Sequence, residues 1–107
     1  MINIEDMFEL LKSIDGYADK VAYYEWPINE APPLPFICFF SPTEAAFAAD
    51  NINYFAAPRY TVELYTKERD LAEEAKLKAA FTAAGLYYSM EAEYLDDERV
   101  HITVFTI

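Results

Sequence analysis

The residues able to carry chemistry are few. Cys38 is the single cysteine, His101 the single histidine, and Ser13, Ser41 and Ser89 the only serines. A nucleophile needs a base beside it and a group that orients the base. None of the serines stands in a nucleophile elbow, and Cys38 sits in the apolar run Phe36-Ile37-Cys38-Phe39-Phe40 with no charged sequence neighbour. A thiol in such surroundings is expected to be buried, protonated and inert. His101 falls on the polar side of an alternating strand pattern, where a solvent-facing imidazole is expected. The run Asp96-Asp97-Glu98 offers carboxylates, but neither the spacing nor the glycine of a calcium loop accompanies it. Gly16 and Gly85 are the only glycines, too far apart for a phosphate-binding loop. The expectation is a non-enzymatic chain with no catalytic residue, no metal and no cofactor.

The elements that would position these residues alternate between helix and strand. Asn3 is placed to cap a helix from Ile4 to Asp15, with Asp6 at capping-box distance, Ile4, Met7, Phe8, Leu11 and Ile14 as its apolar stripe and Gly16 at its exit. Lys20 to Trp26 reads as a strand closed by Pro27. Residues Pro32, Pro33 and Pro35 then lead into a second strand, Phe36 to Ser41, which has no polar residue before Ser41 and so wants cover on both faces. The spacing Pro32-x-x-Pro35 matches a polyproline motif, but it abuts a core strand, and recognition motifs sit in exposed, flexible segments.

A long connection, residues 42–58, carries Phe47, Ile52, Tyr54 and Phe55. It reads either as a helical turn or as a hairpin, and connections of this length are commonly functional. The strand Arg59 to Thr66 alternates cleanly, Tyr60, Val62 and Leu64 on one side, Thr61, Glu63 and Tyr65 on the other. A helix follows from Asp70 to Ala84, with Asp70 and Glu73 at capping-box spacing. Its apolar side is read as Leu71, Ala75, Leu77, Phe81 and Ala84, interrupted by Glu74 and Lys78, and the charges Glu73, Glu74, Lys76 and Lys78 as a solvated face. A hairpin closes the chain, its turn at residues 95–98, with Val100, Ile102 and Val104 as the apolar row of its second arm. The order α-β-β-β-α-β-β predicts one α+β domain over 1–107, a mainly antiparallel sheet with two helices packed on one face.

Composition narrows the partners. Nineteen acids against eight bases give a net charge of −11, which repels phosphate and makes direct nucleic-acid binding unfavourable. No apolar run reaches the length of a membrane span, and the N-terminus carries acids where a signal peptide carries bases. A cytosolic origin, or a particle assembled in the cytosol, is expected.

Several segments taken in order carry a resemblance: Pro-x-Leu-Pro-Phe-Ile-x-Phe at Pro32 to Phe39, the step Ala49-Asp50-Asn51, the strand Tyr60-Thr61-Val62-Glu63-Leu64-Tyr65-Thr66-Lys67, the helix start Asp70-Leu71, and Tyr87-Tyr88. Together they resemble small proteins of the head–tail modules of long-tailed phages and prophages of Gram-positive bacteria. The resemblance implies a tail-completion subunit, a tail terminator or head–tail joining protein. Such a subunit forms a ring, typically hexameric, and contacts tail-tube and head-completion proteins in the host cytoplasm and then the virion. It implies no catalysis and no cofactor. The other readings are an acidic soluble inhibitor that mimics nucleic acid and a minor head-connector component.

The expected assembly surface is Phe47, Ile52, Tyr54 and Phe55 with Thr61, Glu63 and Tyr65. Replacing Phe47, Tyr54 and Phe55 together with Ser is expected to abolish assembly while leaving the thermal unfolding transition in place. Loss of that transition would mark the three as core residues instead.

Overall fold

The computed structural model describes residues 2–27, 29–41 and 60–107. The elements in chain order are α1 (Ile4–Lys12), β1 (Val21–Tyr23), β2 (Phe36–Phe40), β3 (Thr61–Thr66), α2 (Leu71–Ala83), β4 (Ser89–Leu95) and β5 (Val100–Thr106). The strands form one five-stranded sheet in the order β1-β2-β3-β5-β4. Three of its four pairings are antiparallel and β1–β2 is parallel, so the α+β architecture is as read and the sheet is mixed. The connection 42–58, with Phe47, Ile52, Tyr54 and Phe55, lies outside the described residues.

Both helices start where side-chain caps place them. The Asp6 N–H donates to Asn3 Oδ1 at 2.8 Å and the Glu73 N–H to Asp70 Oδ1 at 3.2 Å, each satisfying a donor that the first helical turn leaves open. Gly16 and Gly85 follow the helices with φ of 92° and 75°, the left-handed backbone that ends a helix at little cost for glycine. Helix α1 stops at Lys12, earlier than its apolar stripe: Ser13 is its C-cap, with Oγ donating to the Leu10 carbonyl at 2.6 Å, and the next N–H, of Ile14, bonds the Leu11 carbonyl at 3.2 Å in a tighter turn; Ile14 is still buried.

Directly paired residues share a face of the sheet. Ile37 and Phe39 of β2 thus lie with Leu64 and Val62 of β3, then with Thr103 and Phe105 of β5 and with Ala92 and Met90 of β4. Met7 and Leu11 of α1 and Leu77 and Phe81 of α2 join Ile37, Phe39, Val62, Leu64 and Phe105 in the main core, so both helices cover this one face. Tyr17, just beyond α1, donates its hydroxyl to Glu73 Oε1 at 2.6 Å and ties the first helical unit to α2.

Two sequence readings are corrected here. The row of β5 that faces the helices is His101, Thr103 and Phe105, not Val100, Ile102 and Val104, so His101 is buried rather than solvent-facing. Likewise Glu74 does not belong to a solvated face: it is 1% exposed and points from α2 onto the sheet, while Leu71 and Ala75 of the expected apolar side are exposed. The two departures have one cause. A buried carboxylate needs donors, and the polar row of β5 supplies one: Thr103 Oγ1 donates to Glu74 Oε2 at 3.0 Å. Arg69, just before the helix, adds its guanidinium, with Nε 3.3 Å from Oε2 and Nη2 3.4 Å from Oε1.

Removing the cation is expected to cost more than neutralising the acid, because a buried carboxylate is then left with the Thr103 hydroxyl but no opposite charge. Arg69→Met should lower unfolding free energy by about 2 kcal/mol, less than for a wholly buried pair because the guanidinium is half exposed, and Glu74→Gln by about 1 kcal/mol, since the amide oxygen still accepts from Thr103. Urea unfolding at neutral pH reads the difference.

Candidate functional site

Glu74, His101 and Thr103 bring a carboxylate, an imidazole and a hydroxyl together, the parts of a nucleophilic centre in kind. Their arrangement is wrong for that use. The Thr103 hydroxyl is directed at Glu74 rather than at the imidazole, and His101 Nε2 stands 3.9 Å from Glu74 Oε2, outside hydrogen-bond reach. The Nε2 atom and Thr66 Oγ1 are buried with no hydrogen-bond partner among the described residues. Beside them Leu34, Pro35 and Thr66 to Asp70 line an open cleft of about 240 Å³. Two bases and two acids share its rim, a mixture that selects no ligand charge. Among the described residues no group of three or more His, Cys, Asp or Glu side chains is placed to hold a metal.

The other face of the sheet is where the predicted surface residues fall. Thr61, Glu63 and Tyr65 project from β3 away from the helices, as their alternation requires, and all three are partly buried. Register sets them beside Phe40, Cys38 and Phe36 of β2 and beside Thr106, Val104 and Ile102 of β5. No described helix lies over this face. Its aromatic side chains form two groups. At one end Trp26 meets Phe36 edge-on with centroids 6.1 Å apart, and Phe36 stacks on Tyr65 at 4.9 Å. At the other end Tyr24 stacks on Phe40 at 5.6 Å. Phe36 and Phe40 are four residues apart on one strand, so the two groups stand about 13 Å apart.

Two backbone and side-chain details mark this face. Tyr24 has φ of 74°, a left-handed conformation that is uncommon for a bulky residue and is here held by its N–H donating to the Phe39 carbonyl at 2.8 Å. Trp26 Nε1 is buried with no acceptor among the described residues. Between the aromatic groups lie Cys38 and Glu63, directly paired across the strands. Burial, then the Glu63 and Glu25 carboxylates, pushes the Cys38 thiol up to about 11. Burial and its hydroxyl's bond to Glu63 at 2.9 Å likewise raise the Tyr65 phenol.

The sequence located Thr61, Glu63 and Tyr65 on this face but did not join Tyr24, Trp26, Phe36 and Phe40 to them. In an unbroken apolar strand both parities look alike, so β2 carried no signal of which side the helices would cover. Comparison with protein-family models finds no match, and no curated protein or solved structure matches the chain.

The thiol gives a pH signature. A folded-state value above the ordinary one means that Cys38 adds stability fully below pH 9 and loses it as pH rises from 9 towards about 11, where the unfolded chain releases a proton that the folded chain keeps. The urea midpoint is expected to fall between pH 8 and pH 10. Cys38→Ala should be less stable throughout yet show a shallower fall over that interval.

Proposed function

We propose that the chain acts by protein–protein assembly, as a ring-forming tail-completion subunit of a phage or prophage, either a tail terminator or a head–tail joining protein. The observation that carries the assembly part is the helix-free face of the sheet, with Trp26, Phe36, Tyr65, Tyr24 and Phe40 arranged over its β1–β3 half. Aromatic residues with one polar tip are the side chains that dominate interface energetics. A strand such as β2, apolar on both parities, needs cover on both faces; the described helices supply it on one, and on the other Cys38 and Ile102 are buried while Phe36, Phe40 and Tyr65 remain partly exposed. The phage setting is supported by the sequence resemblance alone.

Ring closure uses a heterologous contact, in which this face of one subunit meets a different surface of the next. The net charge of −11 suits a lumen through which DNA slides without sticking. No helix among the described residues is long and apolar enough to cross a membrane, and the proposal requires no membrane. In this reading the described part of the assembly surface, Thr61, Glu63 and Tyr65, works with the aromatic groups beside it, and no catalytic step is assigned to the chain.

Light scattering coupled to gel filtration tests the reading. The chain is expected to form a closed oligomer, by itself at high concentration or on addition of a phage tail-tube protein. A Thr61→Lys, Tyr65→Lys double variant should lose that association with an unchanged far-ultraviolet dichroism spectrum. A chain that stays monomeric under both conditions would overturn the proposal.

A further inference from the structure

The strand β4 closes one end of the sheet, and its seven residues pair with β5 one to one from Ser89↔Thr106 to Leu95↔Val100. Its outer side has no strand partner among the described residues, so every second N–H and C=O along it is directed away from the sheet. The opposite end is blunted by brevity, β1 being three residues long. Proteins protect longer edges with proline, charged side chains, lysine above all, a bulge or a covering element, and on β4 the charges are the two glutamates Glu91 and Glu93. Residues 89–95 contain neither proline nor lysine, and their register has no bulge.

The two rows of β4 are chemically distinct. On the helix-free side stand Glu91 and Glu93, both exposed, and the turn continues the acid row with Asp96, Asp97 and Glu98. On the helix side stand Met90, Ala92 and Tyr94, the last 50% exposed. The same side is extended by α2. Glu73 and Lys76 face the first helical unit, so helical spacing turns Leu71, 66% exposed, Ala75 and the base Lys78 towards the β4 end. Just before the strand, Tyr87 is 94% exposed beside a cleft of about 350 Å³ that it lines with Thr82, Leu86 and Tyr88.

We propose that the outer edge of β4 binds an extended, basic segment of a partner protein by strand addition. The segment's lysine or arginine residues lie beside Glu91 and Glu93, and its alternate apolar residues lie beside Ala92 and Tyr94. Backbone hydrogen bonds supply the attachment, and the two rows select the sequence. A second copy of this chain is disfavoured in the registers that pair the middle of β4. Every two-fold antiparallel register centred on Glu91, Ala92 or Glu93 sets a glutamate opposite a glutamate, and like charges directly opposite destabilise a strand pair. The proposal uses the strand edge, not the aromatic face, and stands whether or not the chain forms rings.

The test uses the whole chain and a defined probe, the peptide Lys-Val-Lys-Val-Lys-Val-Lys, followed by calorimetry and by amide NMR. The expected result is saturable binding at low salt, with shifts and new exchange protection at alternate amides of Ser89–Leu95. N-methylation of the peptide's alternate amides should abolish it, and Glu91→Lys with Glu93→Lys should weaken it by about tenfold. The proposal is overturned by absence of binding, by equal binding of the N-methylated peptide, or by shifts confined to residues outside β4. It is equally overturned if the outward amides of β4 are already protected in the free protein.

Discussion

The buried carboxylate of Glu74 is the constraint on which the arrangement of the sheet depends. Taking an acid out of water on an amphipathic helix is tolerated only where donors meet it. Here they come from two directions, the guanidinium of Arg69 from the loop ahead of the helix and the hydroxyl of Thr103 from the sheet below. Thr103 can serve only if β5 turns its His101-Thr103-Phe105 row to the helices. A shift of one residue in register would set Ile102 or Val104 under the carboxylate and leave it without its sheet donor.

That choice of row also shapes the opposite surface. With Thr103 facing α2, the β-branched row Val100, Ile102 and Val104 lies on the helix-free face, next to Tyr65 and Glu63 of β3. The same sheet surface receives Phe36, Cys38 and Phe40 from β2. Its apolar character follows from a polar requirement on the other side of the sheet. The core does not suffer by the exchange, since Phe105 remains on the helix side and packs edge-on against Phe81 and Tyr88 at 5.4 and 5.6 Å.

The parts of the fold that the sequence announces are those governed by local rules. Asn3 and Asp70 mark helix starts because a side-chain oxygen three residues ahead of an open N–H is a short-range geometry. The alternation of Thr61 to Thr66 marks a half-covered strand for the same reason. What the sequence conceals is pairwise and distant. Glu74 interrupts the apolar side of its helix and reads as a solvated charge until Thr103, 29 positions later, is known to lie beneath it. His101 reads as exposed because a histidine between a valine and an isoleucine looks like the polar member of the strand. For β2, uniform hydrophobicity erases the period that would separate Ile37 and Phe39 from Phe36, Cys38 and Phe40. The parallel pairing of β1 with β2 is equally invisible, since either direction satisfies the same composition.

That parallel pairing gives the proline-rich stretch its meaning. Antiparallel neighbours are joined by a turn at one end of a sheet, but parallel neighbours require the chain to travel back along the whole strand before it starts again. Residues 24–35 make that return, and Pro27, Pro32, Pro33 and Pro35 lie along it. Each proline removes backbone freedom from the unfolded chain, so less entropy is lost when the two strands meet. What looks like a ligand motif is a stiffened return path: the prolines act on the ensemble the chain leaves behind, and the visible contacts of the folded state give little sign of them.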